Sequence, residues 1–578
     1  MPMHNDVYEI RQMPLSVKFV RQQVETFLMQ NDLRLAPMDY YAAVFEHGGE
    51  EMLAGGGLCG NVIKCIAVKK GLREAKLCLT IISHLISTAS SYGLHHLKIY
   101  TKPENEKMFE SLGFQTIAKS EHAILQENDN SLSLFKKRLS EMKRDVPTGI
   151  LILNANPFTK GHRYLIEQAS SRVAHLFVMV VEEDLSRFPY VERRKMVEAG
   201  CQDLPNVTVC STDSYAVSAA TFPTYFLKEL DKATDTQIML DLDLFVRHIA
   251  PTLNIQTRFV GSEPTDPLTQ RYNELMREYL PTQGIAVEEI PRLHQGNVHV
   301  SASSLRGCLR AYSLQRASAL AFPTTIPYLI ADLACQSLQE ELDLTPKPGL
   351  VDKHDNGAHT DMDYEMMERS INALRPFFVE LALLGWNVDK PHVSDVQSIG
   401  LRAENAMFKA TKGINTHKGA LFSLGLTIVA AAHLMRQKGI VSADDLQEGI
   451  KELACQFPQT KGTHGSEVVS KYNMEGALAH ACKGYPDLFA KWLPFLKNEE
   501  LSSTLLYIMS TLDDTNVYYR KGESGAKQVK EEAKQLLLGG YALKDLEAMN
   551  KRFITENISP GGSADMLALT RLVQSFTE

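Results

Sequence analysis

Gly149-Ile-Leu-Ile-Leu-Asn-Ala-Asn-Pro-Phe-Thr-Lys-Gly-His162 runs into Arg163-Tyr-Leu-Ile-Glu-Gln-Ala169, so that an apolar run, a turn and a helical pattern follow one another directly. The run does not alternate, as expected of a strand buried on both faces of a parallel sheet. A parallel strand that feeds a helix leaves its turn at the carboxyl edge of the sheet, where α/β folds bind ligands. Thr159, Gly161 and His162 then stand at the helix's amino end, whose unpaired N–H groups and positive dipole end attract an anion. A phosphate fits there. An imidazole beside it suits the oxygens that gain charge as a nucleophile attacks.

The 578 residues exceed one core and predict three or four domains. Apolar content of 44%, charged content of 22% and a formal charge of −8 give no basic surplus, so nucleic acid is not an expected partner. The nine cysteines form no Cys-x-x-Cys pair and read as reduced, mostly buried thiols. The start lacks a signal-peptide pattern. The uncharged apolar run 419–435 falls short of a bilayer's thickness and contains His433, so no membrane span is expected and the cytoplasm is the expected location.

Upstream of the opening stretch, Glu51-Met-Leu-Ala-Gly-Gly-Gly-Leu58 and Val62-Ile-Lys-Cys-Ile-Ala-Val68 read as strands, followed by an amphipathic helix and by Lys107-Met-Phe-Glu-Ser-Leu-Gly-Phe114. This order resembles the GNAT acetyltransferase superfamily. The turn departs from it, with Glu74, Ala75 and Lys76 where that superfamily has glycines for coenzyme A phosphates. The expected use of the fold is to receive a phosphopantetheine-like arm. The polar run 136–145, followed by Pro147, marks the first expected boundary.

Downstream, Val300-Ser-Ala-Ser-Ser-Leu-Arg306 places serines before an apolar helix with an arginine in its first turn. Alone it reads equally as a serine N-cap with a surface arginine. Hydroxyls and a guanidinium also suit the β- and γ-phosphates of a nucleotide. Together with Thr159-x-Gly-His162 it resembles the paired motifs of adenylyl-transferring enzymes. With Arg187-Phe-Pro-Tyr190, Ala220-Thr-Phe-Pro-Thr-Tyr-Phe-Leu-Lys228, Phe259-Val-Gly-Ser-Glu-Pro264 and the Asn154-Ala-Asn156 turn, it resembles citrate lyase ligase over residues 1 to about 315. That resemblance implies that ATP and acetate give acetyl adenylate and pyrophosphate, and that the acetyl group passes to the prosthetic-group thiol of the citrate lyase acyl carrier protein. Thr159 and His162 would attend the α-phosphate, Ser301, Ser303 and Arg306 the pyrophosphate, and Asn156, Gly161, Gly261 and Glu263 the nucleotide.

From Pro327 onward, apolar residues recur at three and four over segments such as 330–342, 364–383, 396–412, 420–436, 446–457 and 501–509, which predicts an all-helical domain. Its loops are unusual. Pro348-Gly-Leu-Val-Asp-Lys-His-Asp-Asn-Gly-Ala-His-Thr-Asp-Met-Asp363 packs four aspartates and two histidines into sixteen residues. Zinc would want cysteines at tetrahedral spacing, magnesium one or two carboxylates with substrate phosphate oxygens, and a solvated loop would need neither. Thr360 is positioned to cap a helix starting at Asp361, with Asp363 in the capping-box place. In Thr411-Lys-Gly-Ile-Asn-Thr-His-Lys-Gly419, a helix ends at Gly413 and Asn415, Thr416, His417 and Lys418 open the next, an anion-binding layout. Leu512-Asp-Asp-Thr-Asn-Val-Tyr-Tyr-Arg520 adds carboxylates, an amide and an arginine, and Gly561-Gly-Ser563 suggests a backbone nest. Carboxylates in two loops and phosphate donors in two others suggest magnesium-bound polyphosphate.

These four motifs resemble the triphosphoribosyl-dephospho-CoA synthase family over residues 325–578. That family joins the triphosphoribosyl unit of ATP to the 2'-hydroxyl of dephospho-CoA and releases adenine, so the bond broken is N-glycosidic. By that resemblance Asp361, Asp363 or Asp514 would bind magnesium. Asp352, Asp355 or Glu404 would stabilise an oxocarbenium-like centre or take the hydroxyl proton. His359 or His417 would protonate adenine, while Asn415, Thr416, His417, Lys418, Asn516, Arg520, Gly561, Gly562 and Ser563 would hold phosphates. One departure stands out, because Gly476-Ala-Leu-Ala-His-Ala481 replaces an expected Arg and Glu by Leu478 and His480.

The expected architecture is a GNAT-like α/β domain over 1–145, an α/β nucleotidyltransferase-like ligase domain with a parallel sheet over 146–318, and an all-α domain over 323–578. The expected function is bifunctional maturation of citrate lyase. The alternative is a partly degenerate scaffold that binds citrate lyase or its carrier.

Overall fold

The computed structural model describes residues 8–72, 75–182, 186–217, 230–263, 266–295, 298–458 and 464–577. Glu74 of the altered turn and the 220–228 motif lie outside them. The chain forms two compact units, one made of residues up to 156 with 161–299, the other of 157–160 with 300–578.

The first unit contains two sheets. Its front half runs β1 (Tyr8–Gln12), α1 (Lys18–Gln30), β2 (Tyr40–Glu46), β3 (Met52–Cys59), β4 (Val62–Val68), α2 (Ala75–Ser91), β5 (Lys98–Thr101), α3 (Glu106–Glu110), β6 (Gln115–Lys119), β7 (Ile124–Glu127) and α4 (Ser131–Met142). The strands make a mixed sheet in the order β1-β2-β3-β4-β5-β7-β6. β4 and β5 run parallel and pair at Val62↔Lys98 and Ile63↔Ile99 before their pairing stops. β3 is rich in glycine because Tyr41 lies across it: a Cβ at Gly55 would collide with the phenol ring.

The remainder of that unit is doubly wound. β8 (Thr148–Leu153), α5 (Lys160–Ser170), β9 (His175–Val180), α6 (Tyr190–Gly200), β10 (Val207–Ser211), α7 (Leu230–Leu244), α8 (Ala250–Leu253), β11 (Thr257–Gly261), α9 (Pro267–Tyr279) and β12 (Ala286–Ile290) follow in sequence. The sheet is parallel with the order β10-β9-β8-β11-β12. The order reverses at β8, so the turn after Leu153, at the carboxyl edge that the unalternating apolar run predicts, also stands at the switch point.

Residues 136–145 do not separate two cores. They lie mostly within α4, which buries Leu132, Phe135 and Leu139 at helical spacing and presents its lysines outward. Phe135 stacks on Tyr215 at 4.9 Å, and the Tyr215 hydroxyl donates to Glu127 at 3.0 Å. One apolar cluster takes in Phe27, Phe45 and Phe135 from the front and Ile150, Phe177 and Phe245 from the parallel-sheet part.

The second unit is helical. After α10 (Ala302–Arg310) and α11 (Leu314–Leu320) come α12 (Ile326–Asp343), α13 (Tyr364–Asn387), α14 (Val393–Ala410), α15 (Lys418–Lys438), α16 (Ala443–Ala454), α17 (His464–Tyr472), α18 (Ala477–Cys482), α19 (Leu493–Leu496), α20 (Leu501–Thr511), α21 (Thr515–Gly539), α22 (Leu543–Thr555) and α23 (Gly561–Thr577). α21 bends where Gly522 takes a positive φ. α15 is the axis, packed by α12, α13, α14, α16 and α23. By length and composition it would cross a bilayer, yet 78% of its most apolar window is buried inside the unit, which accounts for its apolarity. Gly385 of α13 lies against the Val429 carbonyl of α15, leaving no room there for a Cβ.

A shared core predicts a shared fate. Phe135→Ala is expected to cost about 3–5 kcal/mol and to lower the unfolding midpoint of both sheets of the first unit together. Urea titration followed by hydrogen exchange on β2 and β9 checks this; loss confined to the front sheet would contradict it.

Candidate active site

A cavity of about 1450 Å³ opens in the helical unit, large enough for two nucleotide-sized ligands. Asn415 to Gly419 at the start of α15, Asp514 to Asn516 at the start of α21, and Gly561 and Gly562 at the start of α23 all line it. First-turn N–H groups have no partner inside their own helix, so three helices bring donors and positive dipole ends to one place.

Asp514 takes up part of that donor supply. It is 4% exposed; its Oδ1 accepts from Asn516 N–H at 3.0 Å, and its Oδ2 accepts from Ser563 N–H at 2.7 Å and Ser563 Oγ–H at 3.0 Å. It thereby caps α21 and α23 at once. Burial nevertheless holds its carboxyl above the ordinary range, the donated hydrogen bonds opposing. Gly561 and Gly562 are not a phosphate nest. They sit in the first turn of α23 without positive φ, and a Cβ at Gly562 would come within 2.8 Å of Asp514 Oδ1, one at Gly561 within 2.9 Å of Asn516 Nδ2. Their missing side chains make room for the cap.

Beside it, Lys347 and Glu341 form a buried ion pair at 2.6 Å, with Lys347 also donating to the Glu341 carbonyl at 2.9 Å. His417, 2% exposed, precedes α15. Thr416 Oγ1 donates to Ser370 Oγ at 2.7 Å, and the same Ser370 Oγ lies within hydrogen-bond distance of His417 Nδ1 at 2.8 Å. Its Nε2 makes no hydrogen bond among the described residues. Burial, with Lys347 adding to it, pushes His417 down to about 3. It is a neutral N–H donor and is not an acid for adenine. Lys418 reaches Glu404 at 2.6 Å, and Asn415 Oδ1 accepts from Lys418 N–H at 3.2 Å.

The aspartate- and histidine-rich stretch is mostly scaffold. Asp352 is buried and turned into its own loop, accepting from Lys347 N–H at 3.0 Å, His354 N–H at 2.7 Å and Asp355 N–H at 3.1 Å. Asp355 accepts from Gly357 N–H and from Asn550 Nδ2. Neither lines the cavity. With every oxygen engaged by donors, neither is placed to act on a ribose. Asp363, not Thr360, caps the following helix: α13 starts at Tyr364, and Asp363 Oδ1 accepts from Met366 N–H at 2.7 Å. His359 does line the cavity, but Nε2 is held by Ser559 Oγ at 2.8 Å and Nδ1 accepts from Arg520 at 3.2 Å. Burial first, and then Arg520, lower its basicity, so it too is a poor acid. Arg520 also donates to the Ala358 carbonyl and to Asn557, tying this loop to α21. The three expected magnesium ligands do not gather: Asp363 and Asp514 are caps, and Asp361 is exposed on the cavity wall. They do not fit as a metal-binding set.

Glu341, Lys347, Ser370 and Asp565 stand at the site without a motif that marks them in the sequence. Asp565 lines the cavity from the first turn of α23 and makes no hydrogen bond among the described residues. Its Oδ2 lies against the Cα of Gly419, where a side chain would strike it. Leu478 and His480 line the wall as well.

In the first unit, the turn after β8 is fixed by a residue that spacing did not reveal. Arg193 of α6, fully buried, donates to the Asn154 carbonyl at 2.7 Å, Asn154 Oδ1 at 2.8 Å, the Val181 carbonyl at 2.8 Å and the Phe188 carbonyl at 3.0 Å. Asn156 Oδ1 accepts from Phe188 N–H at 3.2 Å, and Ala155 between the asparagines takes φ +48°, a strained value for a residue with a Cβ. Gly161 and His162 occupy the first turn of α5, both half-buried. Gly261 ends β11, while Glu263 is ion-paired with Arg292 and accepts from Asp266 N–H. In the second unit, Thr159 is buried and bridged to Ala321. Ser301 caps α10 through Ser304 N–H at 3.1 Å, with Ser303 exposed and Arg306 half-buried on that helix.

Two family models match the chain: the citrate lyase ligase C-terminal domain over residues 148–329 and the ATP:dephospho-CoA triphosphoribosyl transferase over 327–578. The chain is 39% identical to a citrate (pro-3S)-lyase ligase of Haemophilus influenzae, over 53% of this chain and 94% of that one. It is 37% identical to a probable 2-(5''-triphosphoribosyl)-3'-dephosphocoenzyme-A synthase of Streptococcus mutans, over 43% of this chain and 95% of that one. A synthase of the same name from Haemophilus ducreyi is also 37% identical, over 42% and 86%.

The neutral His417 has a measurable consequence. Its folded basicity lies below the unfolded value near 6.5, so it contributes stability that is full above that pH and drains as pH falls toward about 3. Between pH 6 and 4, the wild type is expected to lose about 1.4 kcal/mol per pH unit more than His417→Gln does. Urea unfolding of the helical unit at several pH values reads the slope; parallel slopes would contradict it.

Proposed function

The chain belongs to the citrate lyase ligase family through its front half and to the triphosphoribosyl-dephospho-CoA synthase family through residues 327–578, and from that premise we propose one bifunctional enzyme that matures citrate lyase. Its helical unit joins the triphosphoribosyl part of ATP to the 2'-hydroxyl of dephospho-CoA and releases adenine. Its front half adenylates acetate at the expense of ATP and passes the acetyl group to the thiol of the acyl carrier protein's prosthetic group. The cytoplasmic location is part of the proposal.

The observation that carries the synthase reading is the cavity: one large pocket to which three helices offer N–H donors, with apolar wall from residues such as Phe422 and Phe457. Lys418 and the α15 amino end suit the triphosphate. ATP would enter as its magnesium complex, with Asp361 the carboxylate at hand on the wall and substrate phosphates completing the ion's shell. For the front half, the reading rests on the turn after β8, which Arg193 holds rigid at the switch point, and His162 is assigned to the α-phosphate.

The scaffold alternative rests on Leu478 and His480 standing in the cavity wall in place of an Arg and a Glu. Against it, the cavity keeps its donors: the α15 amino end and Lys418 still line it, and Asp565 stands on its wall.

The two activities separate by mutation. His162→Ala is expected to lower acetate- and carrier-dependent pyrophosphate release by about 100-fold or more while adenine release from ATP and dephospho-CoA stays within twofold. Lys418→Ala is expected to do the reverse, chiefly by raising the KM for ATP. Chromatography of adenine and a coupled pyrophosphate assay on the full chain check both. Silence of the wild type in both assays, with carrier binding retained, would establish the scaffold instead.

A further inference from the structure

Breaking the bond between ribose C1' and adenine N9 leaves the electron pair on the purine, which departs readily only if a ring nitrogen is protonated as the bond stretches. Both cavity histidines weighed for that task are unsuited to it by their surroundings. His359 has each nitrogen engaged, Nδ1 as an acceptor from Arg520. His417 has its Nδ1 engaged with Ser370 Oγ at 2.8 Å and is held as a neutral imidazole by burial and Lys347. Lys347 is locked to Glu341, Lys418 to Glu404, and the Tyr485 hydroxyl donates to Ser423 at 3.0 Å.

Asp565 is different. It lines the cavity, and no described residue donates to it. It is pressed against the first turn of α15 where Gly419 has no side chain, so its position is fixed by packing instead of by hydrogen bonds. The two carboxylates that interact with it are both compensated, Glu341 by Lys347 and Asp514 by the Asn516 and Ser563 donors. Among the three, the group whose oxygens remain unclaimed is Asp565.

We propose that Asp565 is the general acid that protonates adenine as the glycosidic bond breaks. This rests on the synthase reading above. The proton moves from the carboxyl to a purine ring nitrogen while the C1'–N9 electrons go to N9. The 2'-hydroxyl oxygen of dephospho-CoA forms the new bond to C1', and the proton it sheds restores the carboxyl through solvent, so no proton is gained or lost overall. Burial and the nearby charges of Glu341 and Asp514 keep the carboxyl's affinity for its proton far above that of an ordinary aspartate, which is what an acid working near neutral pH requires. The charged and titratable groups around it are Glu341 and Lys347 from α12 and the turn after it, Asp514 at α21, His417 and Lys418 at α15, and Tyr485.

The test uses the full chain with Asp565→Asn. Adenine release from ATP and dephospho-CoA is expected to fall by about 100-fold or more, and the high-pH decline of the wild-type rate is expected to vanish from the residual activity. With a 4-nitrophenyl riboside 5'-triphosphate in place of ATP, whose phenolate leaves without a proton, the variant is expected to stay within about threefold of wild type. The circular dichroism and urea midpoint of the helical unit, with the activity retained on the nitrophenyl substrate, report that the variant is folded. If both leaving groups suffer equally, Asp565 is only a structural residue; if the high-pH decline survives in the variant, another group such as His480 is the acid. Either result overturns the proposal, as does adenine release by the variant within threefold of wild type. A wild-type chain that releases no adenine at all sinks the synthase reading itself, a distinguishable failure.

Discussion

Much of the helical unit depends on one buried carboxylate. Asp514 collects donors from the first turns of α21 and α23, so a single side chain satisfies groups that two helices cannot satisfy for themselves. Burying a charge is costly, and it is tolerated here because the partners are backbone N–H groups that would otherwise be orphaned in the same place. Once those two helix starts are joined, the start of α15 faces them across the cavity, and the pocket becomes a meeting place of helix amino ends. Binding of a polyphosphate then needs little beyond Lys418 and the remaining donors of α15.

The same economy explains why the densest cluster of acidic and imidazole side chains carries less chemistry than its composition suggests. Asp352 gathers three backbone N–H groups around itself, Asp355 reaches Asn550, and Asn550 in turn accepts from Gly349 N–H. Gly349 and Gly357 take positive φ and lie hard against the carbonyls of Ile558 and Leu350, so the loop is a tight knot that glycine alone permits. Its purpose is to fix Lys347 and His359 at the cavity. Polar residues in a loop without regular hydrogen bonding are needed first to satisfy its backbone, and only the remainder is available for ligands.

What could be read from sequence follows from this distinction. The unalternating run 149–153 pointed to the parallel sheet and its carboxyl edge, and three- and four-residue spacing to helices α12 to α16 and α20, because burial patterns are local signals. The polar run 136–145 is largely the exposed face of a helix, because its apolar partners Leu132, Phe135 and Leu139 mostly precede it. Arg193 was invisible, since an arginine on an amphipathic helix looks solvated until the loops it binds are known. The protonation state of His417 was out of reach for the same reason: the burial and the Lys347 charge that hold it neutral arise only when distant segments pack together. Asp565 was masked by its neighbourhood, where an aspartate soon after two glycines and a serine reads as helix-start decoration.

The glycines of the helical unit show how far a local rule can carry and where it stops. Gly561 and Gly562 suggested a phosphate nest, a reading that treats glycine as a source of backbone freedom, and Gly419 follows the residues read as an anion-binding layout. None of the three has a positive φ. Each is small because a side chain from another helix occupies the space: Asn516 at Gly561, Asp514 at Gly562 and Asp565 at Gly419. The positions are therefore constrained by carboxylates and an amide that line the cavity. Adding a methyl group at Gly419 would displace Asp565 without altering the α15 backbone, so the identity of that residue is set by the chemistry across the cavity and not by its own turn.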